Sequence, residues 1–341
     1  MSRRGKKADW DRLDESDVRV RPSKGTRPRS KLRPEHVDAR MAMVVGVDRG
    51  RWTCALDARP EQAVIAMRAR ELGRTPIVVG DRVDLVGDTS GRPDTLARVV
   101  RVADRSSVLR RTADDNDPYE RVVVANAQQL LIVCALADPL PRTGFIDRCL
   151  VAAYAGGLKP VLCLTKSDLA SPDGIMAAYA DLELPVLVTR SDEEPDEVRE
   201  RLADQVSALV GHSGVGKSTL VNKLVPDAFR AVSAVSAVGK GRHTSTTAVA
   251  LPLPDGGWVV DTPGIRSFGL AHIEPGDIVS AFPEFVEHAE ECPSNCGHLG
   301  PPEDPDCMLD VVTEEGLARP GRLESLRRLL TSRARLDEYA D

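Results

Sequence analysis

The chain has 341 residues, of which 29% are charged and 42% are apolar, and this composition predicts a water-soluble protein of two or three domains. It contains no run of about 18 apolar residues, so we expect no membrane span. The basic N-terminus is not followed by an apolar segment, which argues against a signal peptide and favours a cytoplasmic location.

The formal net charge of −6 is distributed unevenly along the chain. Residues 1–40 contain 13 Lys and Arg but only 7 Asp and Glu, so this segment is basic and the remainder is strongly acidic. We predict that residues 1–38 form a disordered arm. A basic arm of this kind either contacts the phosphates of RNA or serves only to keep the protein soluble.

Short β-rich segments separated by Gly- and Pro-containing turns follow the arm. They predict a small β-barrel over residues 39–108, such as an OB-fold that binds RNA. An SH3-like barrel without a ligand fits the same pattern. The predicted strands are 41–48, 51–57, 62–67, 81–86 and 95–102.

From about residue 120 the pattern changes to fully apolar strands that alternate with helical segments. Such strands are typical of a parallel sheet covered by helices on both faces. We therefore predict an α/β fold for residues 109–274 and a helical domain for residues 275–341. The predicted strands are 121–125, 129–136, 160–164, 186–189, 206–210 and 258–260.

Residues 211–219 match the G-x4-G-K-[ST] pattern of a phosphate-binding loop, and they lie between a predicted strand and a predicted helix. The glycines allow backbone N–H groups to face the phosphates of a nucleotide. Lys217 should reach the β- and γ-phosphates and contribute to catalysis, and the Ser218 hydroxyl should bind Mg²⁺. The predicted nucleotide-binding residues of this loop are Gly211, His212, Ser213, Gly214, Val215, Gly216, Lys217, Ser218 and Thr219.

Residues 165–168 have the sequence TKSD, which is typical of a guanine-reading element. The Asp168 carboxylate can accept hydrogen bonds from guanine N1–H and the 2-amino group, whereas adenine has no donor at that edge. Lys166 can lie along the base, and Ser167 completes the element. Thr165 stands where Asn is usual, so we expect it to lose the amide bonds to the base and to the phosphate loop, and to weaken base affinity.

Two further segments fit a nucleotide site. Asp261 ends a predicted strand in the sequence DTPG, as a Mg²⁺-linked carboxylate would, and Gly264 can offer its N–H to the γ-phosphate. The glycine- and threonine-rich segment 239–247 resembles a switch loop, from which a threonine, taken here as Thr246, would bind Mg²⁺. His243 is the nearest candidate for orienting the attacking water, and the alternative is that it only packs or contacts RNA.

The seven cysteines fall into two groups. Four lie singly in apolar stretches and are expected in the core. The other three, Cys292, Cys296 and Cys307, cluster with His298 in a pattern that suits one tetrahedral Zn²⁺. The alternative is a helical tail with free thiols. His288 remains a possible fourth ligand in place of Cys307.

The order of these motifs is unusual. In an ordinary GTP-binding protein the phosphate loop comes first and the base-reading element last, whereas here residues 165–168 precede the phosphate loop and residues 261–264 follow both. With three further segments, this order resembles the RsgA (YjeQ) family of circularly permuted GTPases. Those segments are Val79-Gly80-Asp81, Arg105-Ser106-Ser107-Val108-Leu109-Arg110-Arg111 and Val124-Ala125-Asn126.

The resemblance implies an N-terminal OB-fold, a circularly permuted GTPase core and a C-terminal helical zinc-binding domain. It implies GTP and GDP as ligands, and the 30S subunit with its 16S rRNA as partner. GTP hydrolysis would be stimulated by the subunit during its late maturation. We expect a monomer that has one structural Zn²⁺ and uses Mg²⁺ with GTP.

Other interpretations remain open on the sequence. They are a permuted GTPase that acts on the large subunit and an RNA-binding module whose nucleotide site is only structural. A P-loop kinase is disfavoured by Asp168 and by the DTPG segment at residues 261–264. Within the GTPase interpretation, we expect the barrel to join the sheet on its base-reading side, which is the side that carries residues 165–168.

Overall fold

The computed structural model describes residues 36–111, 121–225, 248–262, 270 and 273–334. From Asp38 onward the chain belongs to one compact unit. Within the described ranges no helix is both long and apolar enough to cross a membrane.

Five strands near the N-terminus form a closed barrel in the order β1-β2-β3-β5-β4, with β4 pairing back onto β1. The β3–β5 pair is parallel and the others are antiparallel. This closure confirms the predicted OB-type barrel. The strands are β1 (Arg40–Asp48), β2 (Arg51–Leu56), β3 (Arg59–Arg68), β4 (Arg82–Gly87) and β5 (Ala97–Val102).

A two-stranded hairpin, β6 (Val108–Arg111) and β7 (Arg121–Ala125), leads from the barrel into a six-stranded sheet. The sheet has the order β10-β9-β8-β11-β13-β12, and β12 is its antiparallel strand. Its strands are β8 (Gln129–Ala135), β9 (Lys159–Thr165), β10 (Val186–Val188), β11 (Val206–Val210), β12 (Val249–Pro252) and β13 (Trp258–Asp261).

Helices cover both faces of this sheet, as its apolar strands predict. Alternate residues of β8 show the division: Leu130 and Ile132 belong to one core cluster, and Leu131 and Val133 to another. The first cluster includes α1 and the C-terminal helices, and the second includes α3 and α4. The helices beside the sheet are α1 (Thr143–Ala155), α2 (Asp173–Tyr179), α3 (Asp196–Leu202) and α4 (Lys217–Leu224).

The C-terminal part of the described chain is helical, as predicted. Its longest helix packs against α1, where the Arg328 guanidinium lies 3.3 Å from the buried Asp147 carboxylate and over the Tyr179 ring. This part therefore shares a core with the α/β sheet. Its helices are α5 (Pro275–Val279), α6 (Pro283–Ala289), α7 (Met308–Glu314) and α8 (Pro320–Ala334).

The barrel joins the sheet at the β12 edge, where Gly46 of β1 pairs antiparallel with Val249. This edge lies opposite β9 and β10, so the expectation that the barrel joins on the base-reading side is wrong. The physical reason is that β12 would otherwise present unpaired backbone groups, which β1 satisfies by extending the sheet.

The three segments that carried the family resemblance form the junction between barrel and sheet. The Asn126 side chain donates to the Gly80 carbonyl at 3.0 Å and accepts from the Ser106 N–H at 2.9 Å. Gly80 has φ +89°, and a Cβ there would lie 1.9 Å from the Ala125 oxygen. Glycine is therefore required where the barrel meets the end of β7.

A buried ion pair holds the connector that leaves the barrel. Asp81 is fully buried and bonds Arg105 through two contacts, of 2.7 and 2.9 Å. The same carboxylate accepts from the Val78 N–H at 2.8 Å, and Arg105 also donates to the Pro76 carbonyl at 3.0 Å. The Asp81 bond raises the pKa of Arg105.

Candidate functional site

The predicted phosphate loop lies between β11, which ends at Val210, and α4, which begins at Lys217. Gly214 and Gly216 have φ of +84° and +91°, a conformation that turns the backbone N–H groups toward the start of the helix. A Cβ at Gly211 would lie 2.7 Å from the Val133 oxygen, so the loop also approaches β8 closely. The local geometry is therefore that of an anion-binding turn.

Lys217 and Asp261 meet beside this loop. Asp261 is the last residue of β13 and lies opposite Leu209 of β11 in the parallel register. The Lys217 ammonium donates to the Asp261 carboxylate, and it lies 3.5 Å from the Thr262 carbonyl. The two residues that the sequence assigns to phosphate and to Mg²⁺ are thus within reach of a common ligand.

The TKSD element lies directly against the phosphate loop. Thr165 ends β9, and its buried hydroxyl donates to the Val215 carbonyl at 2.6 Å. Thr165 therefore lacks the usual amide but keeps a contact with the phosphate loop through its hydroxyl. Next to it Lys166 has φ +60°, and its ammonium donates to the Asp138 carbonyl in the loop that follows β8.

The loop that follows β10 lies beside TKSD and was not among the site residues predicted from the sequence. The Thr189 carbonyl accepts from the Ser167 N–H and hydroxyl, both at 3.3 Å, and the Thr189 N–H donates to Leu164. A hydrogen bond to Asp192 raises the pKa of Arg190, and the negative charge of Asp168 adds to this increase. A polar segment directly after a parallel strand next to β9 was the available signal.

Helix α1 supports the phosphate loop from the other side. The Phe145 and His212 rings lie 4.1 Å apart between centroids at an interplanar angle of 48°. Together with Ser213, Val215 and residues of β8 they line a cavity of about 300 Å³. The packing partner of His212 was not apparent from the sequence, which placed it only as a loop residue.

Three predicted site residues lie outside the described part of the chain. They are the catalytic candidate His243, the Mg²⁺ candidate Thr246 and the γ-phosphate candidate Gly264. Their assignments remain predictions.

The four predicted metal ligands come together in the C-terminal helical part. Their ligand atoms all lie within 4.8 Å of one another, and the Sγ atoms of Cys292, Cys296 and Cys307 lie 3.4, 3.6 and 4.0 Å from His298 Nδ1. A tetrahedral site with bonds of about 2.3 Å to sulfur and about 2.0 Å to nitrogen separates its donors by about 3.5–3.8 Å. The cluster therefore has the composition and spacing to hold a metal ion. Its fourth member is Cys307, not His288.

The Cys307 thiol is suited to act as a thiolate ligand. Burial acts to raise its pKa, but hydrogen bonding with His298 and the Leu309 N–H outweighs burial and lowers the pKa to about 7. In contrast, burial raises the pKa of Cys292 and raises that of Cys296 to about 12. The remaining four cysteines are buried free thiols, as expected for core residues, and burial raises the pKa of Cys54 to about 12.

Two charged side chains shape the loop around His298, and neither was found from the sequence. The Asp304 carboxylate accepts from the N–H groups of Gly297 at 3.1 Å and Leu299 at 2.8 Å. Arg327 on α8 donates to the His298 carbonyl at 3.3 Å and forms two 2.7 Å bonds with Asp310. Such partners fix the orientation of metal ligands. No local sequence pattern marks Arg327, because it lies 29 residues away from His298.

Comparisons with known proteins agree with this geometry. Residues 102–271 match the family model described as RsgA GTPase. A protein of Gemmatimonas aurantiaca named small ribosomal subunit biogenesis GTPase RsgA is 40% identical over 264 residues, which cover 75% of this chain and 84% of that protein. A protein of the same name from Chlorobaculum parvum is 34% identical over 277 residues, covering 78% and 87%.

Two solved structures are similar to the described fold. YjeQ from Thermotoga maritima has a TM-score of 0.63 and 27% identity, and the match covers 87% of this chain and 99% of that chain. YloQ, described as a circularly permuted GTPase, has a TM-score of 0.62 and 20% identity, covering 89% and 98%. The second likeness concerns the fold alone.

Proposed function

The chain belongs to the RsgA family of GTPases, and from that premise we propose that it hydrolyses GTP in the maturation of the small ribosomal subunit. The observation that carries this proposal is the bond between Thr165 and Val215. It joins the base-reading element to the phosphate loop, so one nucleotide can contact both. The names of the relatives support the small subunit as the setting of the reaction.

Selectivity for guanine rests on Asp168. Its carboxylate can accept from N1–H and the 2-amino group of guanine, and bonds to a charged acceptor are among the stronger hydrogen bonds in proteins. ATP offers an acceptor at the same position and would leave the carboxylate unpaired. The proposed ligands are therefore GTP and GDP, held by residues 165–168 and 211–219 together with Asp261 and Gly264.

Charge neutralisation at the phosphates is assigned to Lys217 and the loop N–H groups. Lys217 bonds Asp261 in this structure, so nucleotide binding would exchange that partner for phosphate oxygens. Ser218, Asp261 and Thr246 would hold Mg²⁺, which supplies further positive charge beside the β- and γ-phosphates. His243 would orient the attacking water. No arginine finger is assigned among these residues, so slow intrinsic hydrolysis is expected.

The Cys/His cluster would hold one structural Zn²⁺. Three thiolates and one imidazole leave no open position at a tetrahedral zinc, which is the arrangement of a structural site and not of a catalytic one. The metal would link the loop around His298 to the start of α7 at Cys307. It would stabilise the C-terminal domain, proposed as residues 275–341, as a unit that docks on the subunit.

Contact with 16S rRNA is assigned to the arm (residues 1–38) and the barrel (residues 39–108). Residues 40–111 contain 14 arginines and 9 acidic residues, which gives them a positive net charge. Residues 271–318 contain 12 acidic residues and no Lys or Arg. Because RNA attracts positive charge, the barrel end of the molecule is favoured over the metal cluster as the RNA-facing surface. The protein would act in the cytoplasm as a monomer.

The enzymatic part is tested by comparing hydrolysis of GTP and ATP by the wild type and by Lys217→Met. We expect a strong preference for GTP, and Lys217→Met should remove most of the activity while leaving the fold intact. Equal hydrolysis of GTP and ATP by the wild type would contradict the proposed site.

The partner is tested by co-sedimentation with purified small and large subunits in the presence of a non-hydrolysable GTP analogue. Binding to small subunits alone is expected. Binding to large subunits alone would favour the other permuted GTPase interpretation. Ribosome binding without any GTP hydrolysis would favour an RNA-binding module with a structural nucleotide site.

A further inference from the structure

The loop that follows β10 has no packed core of its own to hold it in place. Residues 190–194 are all exposed, Pro195 at the end of the loop is buried, and no helix or strand is formed between Val188 and Asp196. Its first residue, Thr189, bonds Ser167 of the base-reading element. Because residues 190–194 bury no side chain, this part of the loop keeps its position through polar contacts, and the origin of those contacts decides where it lies.

Lys223 supplies two of those contacts from a different element. Its ammonium donates to the Ser191 carbonyl at 2.8 Å and to the Glu193 carbonyl at 2.5 Å. Among the described residues, these are the hydrogen bonds that reach the middle of the loop from outside it. They are charge-assisted, and each is stronger than a bond between neutral groups.

Lys223 belongs to α4, the helix that begins at Lys217. The two lysines are six positions apart, which corresponds to about 9 Å along the helix axis. Lys217 lies beside the phosphate loop. Lys223 reaches the loop after β10, whose first residue bonds the base-reading element. One short helix therefore joins both ends of the nucleotide site.

Arg199 provides a second connection between the loop and α4. Arg199 on α3 donates to the Lys223 carbonyl at 3.3 Å and pairs with Glu194 at 3.2 Å. It also bonds Asp196 at 2.6 Å. The exit of the loop is thus tied to the end of α4 as well, and Lys223 lies at the centre of the contacts.

We propose that Lys223 is a positioning residue for guanine binding, which fixes the loop after β10 against the base-reading element by anchoring it to the phosphate-loop helix. The inference rests on the proposed function, because it requires that the site binds a guanine nucleotide. Without the ammonium, the loop would sample positions in which it no longer lines the base, and binding would have to order it again. The phosphate contacts of Lys217 would be unaffected.

The proposal predicts a selective change in nucleotide preference. Lys223→Met should raise the KM for GTP about tenfold, the effect of losing about one charge-assisted hydrogen bond, with kcat falling less than threefold. The kcat/KM for ATP should change little, because adenine makes no specific contact in this region. The preference for GTP over ATP should therefore fall about tenfold.

Two control variants are available. Lys223→Arg keeps a donor with positive charge and should restore most of the preference. Lys159→Met removes the same charge from an exposed lysine at the start of β9 and should behave as the wild type.

The measurement is steady-state hydrolysis of GTP and ATP by the wild type and the three variants. A selective loss of GTP preference in Lys223→Met, restored by arginine, supports the proposal. Equal losses for GTP and ATP, or no loss, would overturn it and leave the proposed function intact. A wild type without any GTP preference would overturn both.

Discussion

Replacing Arg105 with alanine should destabilise the barrel by about 3 kcal/mol, because it leaves a buried carboxylate without its cation. Asp81 has no exposed surface, and two of its three described bonds come from Arg105. Removing one partner of a buried ion pair costs about 3–5 kcal/mol. The lower end applies here because 21% of the Arg105 side chain is exposed, and water can enter the space that it leaves.

Trp52 offers a local signal for this effect. Its indole is buried in the barrel and donates to the Ile77 carbonyl at 3.1 Å, next to the Pro76 carbonyl that bonds Arg105. Urea unfolding would be followed by tryptophan fluorescence in a background in which Trp10 and Trp258 are replaced by Phe. For a domain of this size a loss of about 3 kcal/mol lowers the urea midpoint by about 2 M.

Arg101→Ala is the matched control. Arg101 pairs with Asp84 at 3.3 Å in the same barrel, but 63% of its side chain is exposed, so the pair should contribute less than about 1 kcal/mol. If both variants shift the midpoint equally, burial of Asp81 does not determine the stability of the barrel and the reasoning is refuted.

Three further predictions concern the nucleotide and metal sites. Thr165→Val removes the bond to Val215 and should raise the Kd of GTP about fivefold by calorimetry, whereas unchanged affinity would show that the bond is not needed. Asp168→Asn should weaken GTP binding about a hundredfold and favour XTP, since the amide can donate to the C2 carbonyl of xanthine; retained GTP preference would exclude Asp168 as the base reader. Cys307→Ser should lower the zinc content measured by mass spectrometry while His288→Ala retains it, and the reverse result would assign His288 as the ligand.

The sequence predicted the site well where a motif follows a buried strand. Thr165 and Asp261 end β9 and β13, and Lys217 begins the helix after β11. Since the carboxyl ends of parallel strands meet at one edge of a sheet, these motifs had to converge once the strands were recognised. The cysteine cluster was predictable for a different reason. Its members lie within a short segment, so local chain geometry brings them together.

The contacts between motifs were harder to predict, because they depend on distances across the fold. The hydroxyl of Thr165 reaches Val215, 50 residues away, and Lys223 reaches Ser191, 32 residues away. Both contacts depend on strand register and helix placement, which no single motif encodes. The predicted position of the barrel was wrong for the same reason. Chain order shows which strand follows the barrel, but it does not show which edge of the sheet the barrel covers.

Stimulated hydrolysis is the most direct test of the proposed function. GTP turnover would be measured with the protein alone, with purified small ribosomal subunits and with large subunits at equal concentration. We expect slow turnover by the protein alone, strong acceleration by small subunits and none by large subunits. Turnover that is unchanged by small subunits, or accelerated equally by both, would contradict it.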